Sequence, residues 1–234
     1  MKMPSSTTTA PARFLLLGDS HAGPIGRAAR AAGLPFEGGP LGAGREFTDD
    51  FFEPRDADVV FRAPEAEQHY RGFLSGLQVA ELGAVAVPVV STLGLSVHFV
   101  ATADNWQLYR DPNGLRPGFL PGFLSSALFA DIVRASVRAA LAFYGHALGL
   151  GLRVLAVLPP QRVPSHADPL VFMAAQDVVR DALTGLGVEM VDLRARTTDE
   201  QGFQRPELCE PDDAIHGNLA FGRLILAELL ERGL

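Results

Sequence analysis

Cysteine is almost missing from this chain. Cys209 is the only one in 234 residues, so no internal disulfide can form and a thiolate metal cluster is excluded. There is no run of basic residues either. A formal net charge of −7 with scattered arginines argues against a nucleic-acid surface. No stretch approaches the ~20 uninterrupted apolar residues that span a bilayer. The apolar run near the amino terminus is too short for a signal-peptide core and ends in Asp19. Internal repeats are absent, as is the G-x-S-x-G elbow of the α/β-hydrolases. Together these absences lead us to expect a protein of a reducing, cytoplasmic compartment.

What is present is globular in character. Hydrophobic residues make up 47% and charged ones 20%, enough apolar material for one full core in a chain of this size. Residues 1–12, polar and proline-containing, are expected to be a disordered leader, and residues 13–234 a single domain. Strand patterns are expected at 14–17, 34–37, 84–90, 152–158 and 188–193. Helical periodicity falls at 25–32, 65–82, 123–148, 168–186 and 218–231. Pro88 is awkward inside the third strand, and residues 59–61 suggest a further short extended piece. Strands alternating with helices throughout imply an α/β fold, a mainly parallel sheet covered on both faces. Ligands in such sheets bind beyond the carboxyl ends of the strands.

Two segments carry candidate chemistry. In the first, Phe14 to Leu17 run into Gly18-Asp19-Ser20-His21. Ser20 thus stands at the end of the first strand, just before a helix whose amino end offers free N–H groups. The same residues are ordinary turn formers, so that position by itself fits either a nucleophile or a turn. In the second, Asp213 and His216 lie three apart between the last strand and the last helix. That spacing allows a carboxylate to orient an imidazole. The alternative there is a capped helix start, with Asp212 or Asp213 as the cap.

Gly18-Asp-Ser-His21 and Asp213-Ala-Ile-His216 together resemble the first and last blocks of the SGNH, or GDSL-type, hydrolase superfamily. The resemblance implies a flavodoxin-like three-layer α/β/α sandwich with five strands. It also implies Ser20 as nucleophile, His216 as general base and Asp213 as the base's partner. Gly39-Pro-Leu-Gly42 is similar to the second block, which makes the amides of Gly42 and Ser20 implied oxyanion donors.

The third block departs from the pattern. Where the family has an asparagine in a Gly-x-Asn setting, this chain reads Ser91-Thr-Leu-Gly94, more similar to the turn of the GSCFA branch. Asn105, in the long irregular stretch 95–121, is a candidate substitute donor or simply a turn residue. That stretch also holds His98, Tyr109 and the turn signal Asp111-Pro-Asn-Gly114, and long loops of this kind often face substrate. Asp19, Thr92 and Trp106 complete the candidate substrate contacts.

The implied reaction is acyl transfer from an ester to water through an acyl-enzyme, with no metal and no organic cofactor. The partner is a small ester or acylated compound, with neither nucleic acid nor membrane involved; oligomeric state is left open. An acyltransferase using the same residues and a non-catalytic carbohydrate- or acyl-binding module are alternatives. A metallophosphoesterase, suggested by the Asp-x-His of Asp19 and His21, would need further metal ligands after later strands, and none is evident there.

Overall fold

Phe14, Leu15, Leu16 and Leu17 are all fully buried, and strand alternation divides them between two separate hydrophobic clusters. This is the mark of a strand with a packed layer on either side. In the computed structural model, which describes residues 10–111 and 118–234, the three leucines belong to β1 (Leu15–Gly18), an interior strand of the sheet. Of the expected leader, all but residues 10–12 lies outside the described residues. So do the last three residues of the Asp111–Gly114 turn signal.

Chain order from there is α1 (Ala22–Ala31), β2 (Glu37–Pro40), β3 (Phe52–Pro54), β4 (Val59–Phe61), α2 (Pro64–Gly76) and β5 (Val89–Ser91). The second half brings α3 (Ala127–Ser136), α4 (Arg138–Gly149), β6 (Val154–Val157), α5 (Pro169–Leu186), β7 (Glu189–Val191), α6 (Arg194–Thr197) and α7 (Leu219–Glu231). Five strands form one sheet in the order β2-β1-β5-β6-β7, every neighbouring pair parallel. Leu15, Leu17, Val89, Val154 and Ala156 face a core shared with residues of α2, α3, α4 and α5. Leu16, Val90, Leu155 and Val157 face the opposite core, closed by α1 and α7. The architecture is therefore a three-layer α/β/α sandwich. Truncating any of these buried leucines to alanine would cost about 2–5 kcal/mol.

Several element boundaries differ from the sequence expectation, each for a local reason. The second strand runs three residues later than expected, because the glycines themselves form it. Gly38 sits in the sheet at φ 110 with its Cα against the Leu16 carbonyl, which a Cβ would overlap. Pro40 is tolerated because β2 is an edge strand. The expected strand over 84–90 is real only from Val89. Pro88 has no N–H to give the ladder, and residues 82–84 form a short 3-10 turn. α2 stops at Gly76, well before residue 82, and its end is turned by Gln78 in the left-handed region.

The helix expected over 123–148 is two helices. Ser136 donates its hydroxyl to the Ile132 carbonyl at 2.9 Å, and Val137 leaves the helical region at φ −113, ψ 17. A serine bonded back one turn commonly bends a helix. The antiparallel hairpin of β3 and β4, of which only the 59–61 strand was expected, packs Phe51, Phe52 and Phe61 around Phe143. Among the described residues no helix is long and apolar enough to cross a membrane.

Candidate active site

Two short loops at the carboxyl edge of the sheet meet here, one following β1 and one preceding α7. The first turns sharply. Ala22 and Gly23 donate to the carbonyls of Asp19 and Ser20, and a Cβ on Gly18 would collide with Thr92 and Ala22. Asp19 is wholly buried. Its carboxylate accepts from the Thr92 hydroxyl at 2.9 Å, the Ser96 hydroxyl at 2.7 Å and the His21 amide at 3.0 Å. A buried carboxylate must be satisfied in this way or cost several kcal/mol. These bonds tie the turn to the loop after β5 and leave Ser20 on its outer side, half-buried.

Asp213 and His216 form the second loop, and it folds on itself. Asp213 Oδ1 accepts from the amides of Ile215 and His216, both at 2.7 Å, a local Asx-type turn. Its other oxygen lies 2.7 Å from His216 Nδ1. Burial pushes the Asp213 carboxyl upward, but the hydrogen bonds from the His216 ring and the two amides outweigh it and hold the group at about 2. The carboxylate is thus ionised at neutral pH and accepts from His216 Nδ1, the arrangement in which a neutral imidazole has Nε2 as its acceptor. Nε2 stands 2.7 Å from Ser20 Oγ, across 196 positions of chain. The structure therefore brings Ser20, His216 and Asp213 into one hydrogen-bonded line. The cap of α7 is Asn218, two residues past His216, and neither Asp212 nor Asp213 serves as one.

Around this line the other candidate residues fall into different places. Gly42 follows Leu41, whose amide donates to the Gly18 carbonyl at 2.7 Å, so the glycine loop begins beside the β1 turn. Among the described residues neither the Gly42 amide nor the Ser20 amide has an acceptor; both are free donors. Asp19 and Thr92 are corrected: expected to touch substrate, they are 0% and 2% exposed and bond to each other beneath the turn. Trp106 is also nearly covered, its indole N–H donated to the Val100 carbonyl at 2.7 Å, with one side forming the wall of a cavity. Asn105 lines the same cavity from an exposed 3-10 segment (Ala103–Tyr109), and no contact joins it to Ser20 or His216.

Three residues outside the expected set support the site. Arg162, in the loop after β6, donates to the carbonyls of Glu210 at 2.9 Å and His216 at 2.7 Å, holding the His216 loop in place. Its place at the carboxyl end of a parallel strand was the one available signal. His21 is buried, with its ring 4.9 Å from that of His216. Burial keeps it neutral by lowering its pKa, opposed by Asp19 and reinforced by His216. His98, which the sequence places in the long stretch 95–121, is buried on the same side, its pKa lowered to about 4 chiefly by burial. Among the described residues no group of three or more His, Cys, Asp or Glu is poised to hold a metal ion.

No family model matches the chain, and none of the curated proteins does. Solved structures do. A GDSL-like lipase from Bacteroides thetaiotaomicron is 12% identical over 94% of this chain and 86% of its own, with a TM-score of 0.49. A putative SGNH hydrolase from Slackia heliotrinireducens is 16% identical over 94% and 99%, at 0.46. An acetyl xylan esterase is 11% identical over 94% and 100%, at 0.49.

Proposed function

We propose that the protein is a serine-dependent hydrolase of small esters, working through an acyl-enzyme. The observation that carries this reading is the unbroken relay from Ser20 Oγ to His216 Nε2 and from His216 Nδ1 to Asp213, with both links at 2.7 Å. A serine hydroxyl is a weak nucleophile near neutrality and needs a base within hydrogen-bond reach, itself oriented by a third group.

In the first step Ser20 Oγ attacks the ester carbonyl as His216 Nε2 takes its proton. Asp213 stabilises the imidazolium. The negative charge moving onto the carbonyl oxygen is met by the free amides of Ser20 and Gly42, a role worth about 3–4 kcal/mol per donor in comparable sites. His216 then returns the proton to the departing alkoxide. Water, deprotonated by the same base, releases the acid and restores Ser20. His21, neutral and packed on His216, keeps one face of the imidazole dry and adds no competing charge.

The test is turnover of short-chain aryl esters by the wild type, Ser20→Ala and His216→Ala, with and without a chelator. Each variant should lose on the order of 10⁴ or more in kcat with its melting temperature preserved. Chelator-sensitive turnover that survives Ser20→Ala would instead favour the phosphoesterase reading. Ligand binding by a wild type without turnover would favour the binding module.

A further inference from the structure

We infer that Glu46 is a specificity-determining residue that binds the α-ammonium group of an aminoacyl ester, so that the preferred acyl group is that of an amino acid. The inference rests on the hydrolase reading and specifies its substrate. It starts from Gly42, the implied oxyanion donor. That glycine is not among the positive-φ residues, so its backbone conformation would accept a side chain. Space would not. A Cβ there would stand 2.6 Å from Glu46 Oε2 and 3.1 Å from Glu46 Cδ, so the Glu46 carboxylate occupies the place of the missing side chain.

The carboxylate is held in that place. Residues Gly44–Phe47 form a 3-10 turn, and Glu46 Oε1 accepts from the Ala43 amide at 3.1 Å. The loop itself lies against the turn that carries Ser20. The Leu41 amide donates to the Gly18 carbonyl at 2.7 Å, and a Cβ on Gly44 would stand 3.2 Å from Asp19 Oδ2. Among the described residues the Ala43 amide is the one donor to Glu46, which leaves Oε2 without a partner and the charge without a cation. The side chain is exposed, so a ligand can reach it from solvent.

An unpaired carboxylate is a poor neighbour for an oxyanion. Negative charge beside the Gly42 amide opposes the charge that this donor would meet, so with a neutral ester the arrangement works against catalysis. A cationic acyl group reverses the sign. The α-ammonium of an aminoacyl ester is carried on the carbon next to the carbonyl, which places it beside the carbonyl oxygen, where it can stand between that oxygen and Glu46 and offset both charges. A cation in the alcohol part is separated from the carbonyl oxygen by more bonds and fits that position less closely. On the His216 side of the site, by contrast, Glu210 is already paired with Arg27 at 3.1 Å and Asp213 with the His216 ring at 2.7 Å.

The test compares the p-nitrophenyl esters of alanine and isobutyric acid, which differ by an ammonium in place of a methyl group. Comparing the same pair in each protein cancels their different intrinsic reactivity. Measured at about pH 6.5, where the α-amine carries its proton, Glu46→Gln should lower the preference for the alanine ester roughly tenfold or more. Its kcat/KM for the alanine ester should fall, while that for the isobutyrate ester should rise because the charge opposing the oxyanion is gone. Glutamine keeps an acceptor for the Ala43 amide, so a Glu46 that merely braced the loop would leave the preference unmoved. In the wild type the preference should also shrink at about 1 M salt. Equal preference in the wild type and Glu46→Gln, with turnover still dependent on Ser20, would overturn the inference and leave the hydrolase reading standing. So would a Glu46 dependence confined to acetylcholine, the ester with its cation in the alcohol. Absence of Ser20-dependent turnover with every one of these esters would overturn the hydrolase reading and the inference with it.

Discussion

On the Ser20 side of the site the supporting groups are interior: Asp19, Thr92 and Ser96 are 0%, 2% and 6% exposed and bonded to one another between two core strands. On the His216 side they are peripheral. Asp213 and His216 keep 30% and 23% of their side chains exposed. Their loop is held by an Asx turn, by Arg162 and by the outlying Arg27–Glu210 pair. The turn that carries Ser20 is thus part of the core, whereas His216 stands on a partly exposed surface loop. Substitutions on the first side should register mainly as stability, and those on the second mainly as rate.

Among substitutions that leave Ser20 and His216 in place, Asp213→Asn should show the largest effect. It keeps the loop's shape but removes the charge that sets the His216 tautomer. We expect kcat to fall on the order of 10³–10⁴ with little change in thermal unfolding, measured by ester kinetics beside calorimetry. A large loss of melting temperature would break the division just drawn.

His98 tests the interior side through pH. Its imidazole is held at about 4 by burial, reinforced by His21, against an ordinary 6.5. The folded state therefore refuses a proton that the unfolded chain accepts. Stability should be unaffected by this group above about pH 6.5. It should decline by up to about 3 kcal/mol as the pH falls toward 4, and the decline should level off below that. Urea titrations of His98→Asn across this window should show a flatter profile than the wild type; parallel profiles would refute the assignment.

Thr92→Val removes one donor from the buried Asp19 carboxylate without changing shape. It should cost about 2 kcal/mol of unfolding free energy and little kcat once folded. Arg162→Leu sharpens the contrast from the other side. Loss of its bonds to Glu210 and His216 should lower kcat about ten- to a hundredfold through displacement of the imidazole, with KM nearly constant. Arg27→Gln removes a pair whose side chains are 49% and 41% exposed, and a change below about 0.5 kcal/mol is expected in either measurement.

Periodicity and turn chemistry made much of this molecule legible in advance. The run from Phe14 to Leu17 ending in Gly18-Asp-Ser specified a doubly covered strand, because a segment apolar on both of its alternating faces has no side for water. Asp213 and His216, three apart, allowed a local carboxylate–imidazole pair for an equally short-range reason, with a helix cap as the alternative that the spacing left open. Edges were less legible wherever a distant neighbour decided them: Gly38 belongs to a strand because Leu16 passes against it, and α3 ends where Ser136 bonds back to Ile132.

The fate of Asp19, Thr92, Asn105 and Arg162 lay in no local pattern. Each is a polar residue at a strand end or in a loop, and such residues look alike in one dimension, whether they turn inward to one another or outward to a ligand. Three-dimensional packing separated them, since burial of the Asp19 charge demanded donors from a loop more than seventy positions away. Residue types and spacing along the chain determined which groups were capable of the chemistry. Tertiary contacts, which alone set what is buried and what meets across the sheet's edge, determined which of those groups stand together.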